Sequence, residues 1–288
     1  MARQTSQYRR YTRSKAGNVA YFIILFLAGA FTFLPLIYCV ITSFKPLEEL
    51  LIFPPRFFVV RPTFANYKAL PNLLSKLQVP ISRYFFNSIF VAVVGTFFHI
   101  IAASLAAFTF SKSKLKCRNV LFWIVQLMLL YNAVTLSVPQ YYIFSQLKMI
   151  DTYWVYILPA IPSAMGCFLM KQFMDTSVPD ALMEAARIDG AGVVCMYWKV
   201  IMPILKPAWM TIMLFSFQSM WTIIPVGTIF SEQYKTLPQI MSSISAGGIA
   251  RSGSAMAVTV ILMLPPIIMF FITQGNVLET MNSSGIKE

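Results

Sequence analysis

Few side chains in this 288-residue sequence could do chemistry, and they are unevenly placed. Three of its ten acidic residues, Asp180, Glu184 and Asp189, share one short stretch, PDALMEAARIDGAG, with Arg187. Nothing in the stretch has the pattern of a catalytic site. No HExxH, GxSxG or Walker A sequence occurs anywhere, and no pair of acids falls inside an apolar run. The single histidine, His99, lies within a long apolar segment. There it reads first as a packing residue bonded to a neighbouring helix and second as a proton relay, since an ionisable group at membrane depth carries a functional hypothesis. Cys39, Cys117, Cys167 and Cys195 have no metal-like spacing, so neither a metal site nor a disulfide is expected.

The surrounding elements are hydrophobic. The chain is 58% hydrophobic and only 11% charged, with a mean hydropathy of +0.68, far from the roughly one-quarter charged residues of soluble domains. It reads as an all-α polytopic membrane protein. At about 20 apolar residues per crossing there is room for about six transmembrane helices in one bundle. The expected spans are Val19 to Ile41, Tyr84 to Phe110, Val120 to Phe144, Tyr153 to Met170, Pro207 to Phe230 and Ala255 to Thr273. Lipid forces such segments to be helical, because no water is present to satisfy open backbone groups. The first apolar run is too long for a signal-peptide core and is expected to be retained.

Orientation follows from the basic residues. Arg3, Arg9, Arg10, Arg13 and Lys15 precede the first span, and Lys112, Lys114, Lys116 and Arg118 lie between the second and third. Both segments belong on the cytoplasmic side. This puts both termini and the 171–206 loop inside. Lys45, Arg56, Arg61, Lys68, Lys76 and Arg83 in the first outer loop run against this assignment, but that loop is longer and its charge bias counts for less. The net charge of +13 is then topological signal and attraction to anionic lipid, and no nucleic-acid partner is expected. The expected organisation is a basic segment 1–18, a transmembrane domain 19–274 containing a cytoplasmic loop 175–207, and a cytoplasmic tail 275–288.

Within that loop, Pro179 and Asp180 mark a helix start and Gly190 a helix stop. The sequence predicts a helix from Asp180 to Ile188, with Leu182, Ala185 and Ala186 on one side and Met183 and Arg187 on another. A second amphipathic piece, Val193 to Ile201, leads through Pro203 and Pro207 into the fifth span. An interfacial helix with no further role would explain amphipathicity but not the whole spacing.

That spacing, EAARIDGAGVVCMYWKVIMPILKPA, resembles the EAA motif of the permease subunits of ATP-binding-cassette importers, EAAxxDGA followed by an aromatic pair and IxxPxxxP. LKMIDTYW with Leu158-Pro159, Ser43-Phe44-Lys45, Pro54-Pro55, Asn66-Tyr67 and Asn87-Ser88 are similar to the shorter, six-span member of the maltose-type carbohydrate pair. Val193 stands where the motif often has an acid. The tail QGNVLETMNSSGIKE resembles those of permeases for complex oligosaccharides, including the lipo-oligosaccharide subgroup.

The resemblance implies the type I importer permease fold in a bacterial plasma (inner) membrane, and a transport subunit rather than an enzyme. Its cargo would be a sugar or oligosaccharide delivered by an extracytoplasmic binding protein. It further implies a second, different permease subunit and two cytoplasmic ATPase subunits that hold ATP and magnesium, with no cofactor on this chain. Glu184, Ala185, Ala186, Asp189, Gly190 and Pro203 would form the ATPase-coupling site. A sugar pocket needs amides or hydroxyls beside aromatics, and the candidates in the spans are Asn132, Thr135, Gln140, Gln218, Ser219 and Trp221. Each has a plainer role as a helix-to-helix bond or interface anchor. Residues 234–251, with Pro238 and Gly247-Gly248, read as a flexible re-entrant or outward-facing connection between the fifth and sixth spans. The same machinery for a polyol or glycerophosphodiester, or a six-span secondary carrier, are the alternatives; the uncharged spans and the loop weigh against the carrier.

Overall fold

A computed structural model describes residues 15–75, 79–113, 115–131, 133–225 and 227–285. The basic residues Arg3 to Arg13, Lys76 and Lys114 lie outside them. Among the described residues the regular structure is helical, and the main helices are α1 (Lys15–Ser43), α2 (Ala65–Ser75), α3 (Ile81–Lys112), α4 (Arg118–Met128), α5 (Ser137–Gln146), α6 (Ala164–Ser177), α7 (Asp180–Ile188), α8 (Lys206–Trp221), α9 (Leu237–Ser245) and α10 (Ser252–Gly285).

Among the described residues, four stretches are long and apolar enough to cross a membrane: Gly17–Ser43, Ile81–Lys112, Trp154–Ser177 and Ile249–Val277. A fifth candidate is the bent pair Val193–Ile204 and Lys206–Trp221, whose axes meet at 79°. The expected third crossing is divided. After α4 the chain tightens through Leu129, Leu130 and Tyr131, whose N–H groups bond the carbonyls of Gln126, Leu127 and Met128 at 3.0–3.3 Å, and it resumes as α5 with Pro139 in the first turn. A proline there forfeits only an N–H that has no intrahelical partner. The expected fifth crossing ends at Trp221, because Pro225 disfavours helical geometry in the residue before it. The sixth runs on as helix through the expected tail to Gly285.

The bundle is organised by α3. Its buried positions Ala92, Gly95, Thr96, His99, Ala103, Ser104 and Ala107 recur every three or four residues, so they share one face. Small residues on that face let α6 and α8 approach closely, as membrane helices require; α8 in turn packs on α10, and α10 on α1. No part of the apolar window of α1 is buried, which suits a helix bathed in lipid.

At the Asp151 end, the residues singled out by the carbohydrate-permease resemblance grip the loops. Asn87 donates to the carbonyls of Gln233 (2.9 Å) and Lys235 (2.8 Å) and accepts from the Tyr153 hydroxyl at 2.7 Å. Ser88 accepts from the Leu237 N–H at 2.9 Å. Asp151, at φ +62°, accepts from the N–H groups of Phe230 (3.1 Å) and Ser231 (2.9 Å) and from the Ser231 hydroxyl. Burial pushes its carboxyl up, but the Ser231 and Phe230 hydrogen bonds and the Lys235 charge outweigh that and hold it below its ordinary value. Nearby, Asn66 donates to the carbonyls of Ser43 and Lys45, both at 2.8 Å. The Ser43 and Tyr67 hydroxyls lie 2.8 Å apart. The 230–236 connection, which holds only the short 3-10 turn Glu232–Tyr234, is thus fixed by side chains.

Candidate functional site

At the opposite end of the bundle, α7 lies against the tips of α3 and α6. Pro179 occupies the cap position with extended backbone (ψ 146°), and the helix begins at Asp180, where the sequence predicts it. Lys112, on the last turn of α3, reaches the Val178 carbonyl at 2.6 Å and the Asp180 carboxylate at 2.7 Å. That hydrogen bond, then the Lys112 charge, holds the Asp180 carboxyl below its ordinary value.

Met183 is the buried residue of α7. It joins Ala107, Met170, Met174, Val178 and Met196, with Ala186 and Ala191 against the same cluster. Ala186 therefore turns inward with Met183, one turn apart, and not outward with Ala185. Glu184, Ala185, Ile188, Asp189 and Gly190 are exposed, and Ile188 keeps 86% of its surface open. Gly190 takes φ +80°, the left-handed conformation that admits glycine without a Cβ penalty. The reversal is closed by Ala191 N–H to the Ala186 carbonyl at 2.9 Å.

The chain then runs through Val193–Cys195 into a wide π-helical turn, Met196–Ile201, a form that recurs at functional sites. Tyr197 points inward, its hydroxyl 2.5 Å from Ser104 Oγ on α3, while Trp198 faces out. Exposed Pro203 precedes the bend at Leu205, which is itself buried. Trp209 Nε1 donates back across the bend to the Met202 carbonyl at 3.1 Å, so the corner is braced on both sides. The result is a rigid platform presenting Glu184, Ala185, Ile188, Val193, Val194 and Trp198. A carboxylate beside an apolar surface suits docking with a partner protein.

The second candidate is a cavity of about 1230 Å³ between α3, α5, α6 and α8, lined also by Ile223, Ile224, Pro225, Gly227 and Thr228. Its polar lining is His99, Tyr131, Ser137, Gln140, Tyr141, Ser163, Ser216, Ser219 and Thr228, set among Phe144, Met165, Phe215, Met220 and other apolar residues. Among the described residues, no charged side chain lines it. Thr228 Oγ1 is buried and without a hydrogen-bond partner among the described residues. His99 Nδ1 is 2.8 Å from the Ala160 carbonyl, so the histidine does make a helix-to-helix bond, yet its ring also forms cavity wall.

Of the sequence candidates for the solute path, Gln140 and Ser219 line this cavity. Thr135 and Gln218 are exposed and do not line it, and Asn132 lies outside the described residues. Trp221 is buried elsewhere. Its Nε1 donates to the Leu262 carbonyl at 2.9 Å and its ring stacks on Phe217 at 5.9 Å, a packing role that joins α8 to α10. Sequence reasoning missed Ser163, Ser216 and Thr228, since isolated hydroxyls in apolar helices commonly bond their own backbone. Ser216 and Ser219, one turn apart, were the one spacing that could have marked them.

Comparison with known proteins gives a consistent picture. Residues 99–282 match the family described as "Binding-protein-dependent transport system inner membrane component". The chain is 29% identical over 203 residues to the sn-glycerol-3-phosphate transport system permease protein UgpE of Yersinia enterocolitica, covering 68% of this chain and 71% of that protein. It is 23% identical to the lactose transport system permease protein LacG of Rhizobium radiobacter, over 94% of this chain and 97% of that protein. Its fold matches, at a TM-score of 0.74 and 22% identity, a chain in the crystal structure of a bacterial ABC transporter involved in the import of the acidic polysaccharide alginate; the match covers 92% of this chain and 98% of that one.

Proposed function

The chain belongs to the binding-protein-dependent transport system inner membrane component family and is a permease subunit of an ATP-driven importer, not an enzyme; we propose that its cargo is a sugar or oligosaccharide. The cavity carries this reading. Its hydroxyl, amide and aromatic groups match a ring that offers hydroxyls on its edge and apolar faces, and no described lining group would neutralise an anion. Gln140 and Ser219 are the residues assigned to solute contact. The lactose permease relative supports a neutral cargo. The glycerol-3-phosphate relative represents the competing class, in which a charged solute would draw its counter-charge from another subunit.

The platform around α7 is assigned to coupling. Glu184, Ala185, Asp189 and Gly190 form the outward surface and turn, Ala186 anchors it with Met183, and Pro203 leads into the corner at Leu205. ATP and its magnesium belong to two ATPase subunits that seat against this surface, with a second, different permease chain and an extracytoplasmic binding protein completing the assembly. The Asp180 end then faces the cytoplasm of a bacterial inner membrane, with both termini on that side. Segments 1–18, 19–274 and 275–288 serve as basic anchor, translocation domain and tail, and 175–207 as the coupling loop.

The test is reconstitution of the assembly with its binding protein in proteoliposomes. Neutral oligosaccharides are expected to stimulate ATP hydrolysis, and Gln140→Ala with Ser219→Ala to lower uptake more than basal hydrolysis. Stimulation by phosphorylated or acidic ligands alone would sink the neutral-cargo reading. Uptake driven by an ion gradient without ATP would sink the importer assignment for this chain.

A further inference from the structure

The loop that joins α1 to α2 exposes an unusual amount of apolar surface. Phe53 is 93% and Phe58 72% exposed, with Leu51 and Val60 open beside them. The loop is nevertheless held in shape. The buried Lys45 ammonium donates to the Arg56 carbonyl, and the Glu49 carboxylate accepts from the N–H groups of Val60 (3.1 Å) and Arg61 (2.8 Å). A loop built to hold Phe53 and Phe58 in the open has a use for them there.

The loop is tied to α1 and α10 at several points, and one aromatic contact marks its depth along α1. The Phe57 ring lies 5.6 Å from that of Tyr38 on α1, and Phe58 packs edge-on against Phe57 at 5.2 Å. Tyr38 lies five residues before the end of α1, so the loop folds back by roughly 7 Å along that helix at 1.5 Å per residue. The apolar stretch Gly17–Ser43 has 27 residues. At about 40 Å it exceeds the roughly 30 Å hydrocarbon core and reaches into the headgroups on both sides. Tyr38, and with it Phe57, therefore falls near the boundary between acyl chains and headgroups.

We propose that the 47–64 loop is an interfacial lipid anchor, with Phe53 and Phe58 inserted at the headgroup and acyl boundary and the exposed Arg56 and Arg61 among lipid phosphates. Aromatic rings and arginines are the side chains that favour this layer. The anchor accounts for basic residues that ran against the expected orientation: Lys45 is consumed by the fold, Arg83 hydrogen-bonds Tyr153 and Gln233, and Arg56 and Arg61 serve the lipid on their own side. The proposal rests on the membrane embedding of the chain and not on its cargo.

The test uses the whole assembly in lipid nanodiscs. Phe53→Cys and, separately, Phe58→Cys are introduced with Cys39→Ser, Cys117→Ser, Cys167→Ala and Cys195→Ser, and labelled with an environment-sensitive fluorophore. The expected result at both positions is blue-shifted emission, quenched several-fold more by lipid spin-labelled near the top of the acyl chain than by aqueous iodide, and unchanged when the binding protein is added. Water-like emission quenched by iodide would overturn the proposal. So would a blue shift that appears only on adding the binding protein, which marks a protein contact. Retained ATP hydrolysis with loss of lipid quenching would refute the anchor while leaving the importer assignment intact.

Discussion

Lys112 Nζ stands 2.7 Å from Asp180 Oδ1 and 2.6 Å from the Val178 carbonyl, so one ammonium fastens the end of a membrane helix to the start of α7. Asp180 is largely open to solvent while Lys112 is nearly covered, which makes the lysine the more costly partner to lose. Lys112→Met is expected to loosen α7 and reduce stimulated ATP hydrolysis more than Asp180→Asn does. The pH dependence has a definite sign. A carboxyl whose folded pKa is depressed adds stability above its unfolded value of about 3.9, and that contribution is lost as pH falls through the lower folded value. Melting temperatures of wild type and Asp180→Asn should differ by a constant amount at neutral pH and converge in strong acid; a gap that widens on acidification would contradict the assignment.

Gly190 can be tested by its backbone alone. A Cβ added there meets nothing within 4 Å, so any penalty of Gly190→Ala comes from φ +80°. The expected cost is about 1–2 kcal/mol, and Gly190→Asn should cost less because asparagine tolerates that region. Equal melting temperatures for the three proteins would remove glycine's structural role at the turn.

Gly166 and His99 form a tight crossing. A Cβ at Gly166 would lie 2.2 Å from His99 Nε2 and 2.6 Å from its Cε1, so the ring would have to move. Gly166→Ala is expected to destabilise the bundle by roughly 1–3 kcal/mol, the usual range for overpacking. Most of that penalty should vanish in a His99→Ala background. Additive losses in the double mutant, read from thermal unfolding, would show that the two positions do not conflict.

Asp151 should behave as a positioning residue for the 228–231 backbone. Asp151→Ala removes the acceptor for Phe230 and Ser231 and leaves alanine at φ +62°. The loss expected is at least that of one charge-assisted bond, about 1.5–3 kcal/mol. Asp151→Asn keeps an acceptor oxygen and tolerates the backbone, so it should recover a large part of the loss. Faster hydrogen exchange confined to 228–239 is the local signature; exchange that rises uniformly would point to global instability instead.

Legibility in the sequence followed the strength of local signals. The long apolar runs, Pro179 with Asp180, and Gly190 each state their structure through one-dimensional rules, and α7 appears at Asp180–Ile188 as its pattern indicates. Burial within α7 was less legible. Ala185 and Ala186 are alike in sequence, and it is the packing of Met183 with Met170, Met174 and Met196 that turns one inward. The breaks near Leu129 and Trp221 were also hidden, because hydropathy continues across a span whether or not the helix does. Within the cavity, Gln140 and Ser219 stood out as polar residues in apolar runs, whereas Trp221 was drawn to the pocket by its type and held away from it by the Leu262 carbonyl. Thr228 was invisible, since only the long-range grip of Asp151 on its segment places it at the wall.

The 79° corner at Leu205 has the shape of a bell crank. Its short arm is Val193–Ile204, which follows α7 in the chain, and its long arm is α8, whose 16 residues extend about 24 Å. With the corner braced by Trp209, a turn of about 10° at the pivot would sweep the far tip by roughly 4 Å on an arm of that length. Trp221 sits at that tip, hooked to α10. Under the proposed coupling role, a push on the α7 platform would reach the wall of the cavity that Ser216 and Ser219 share.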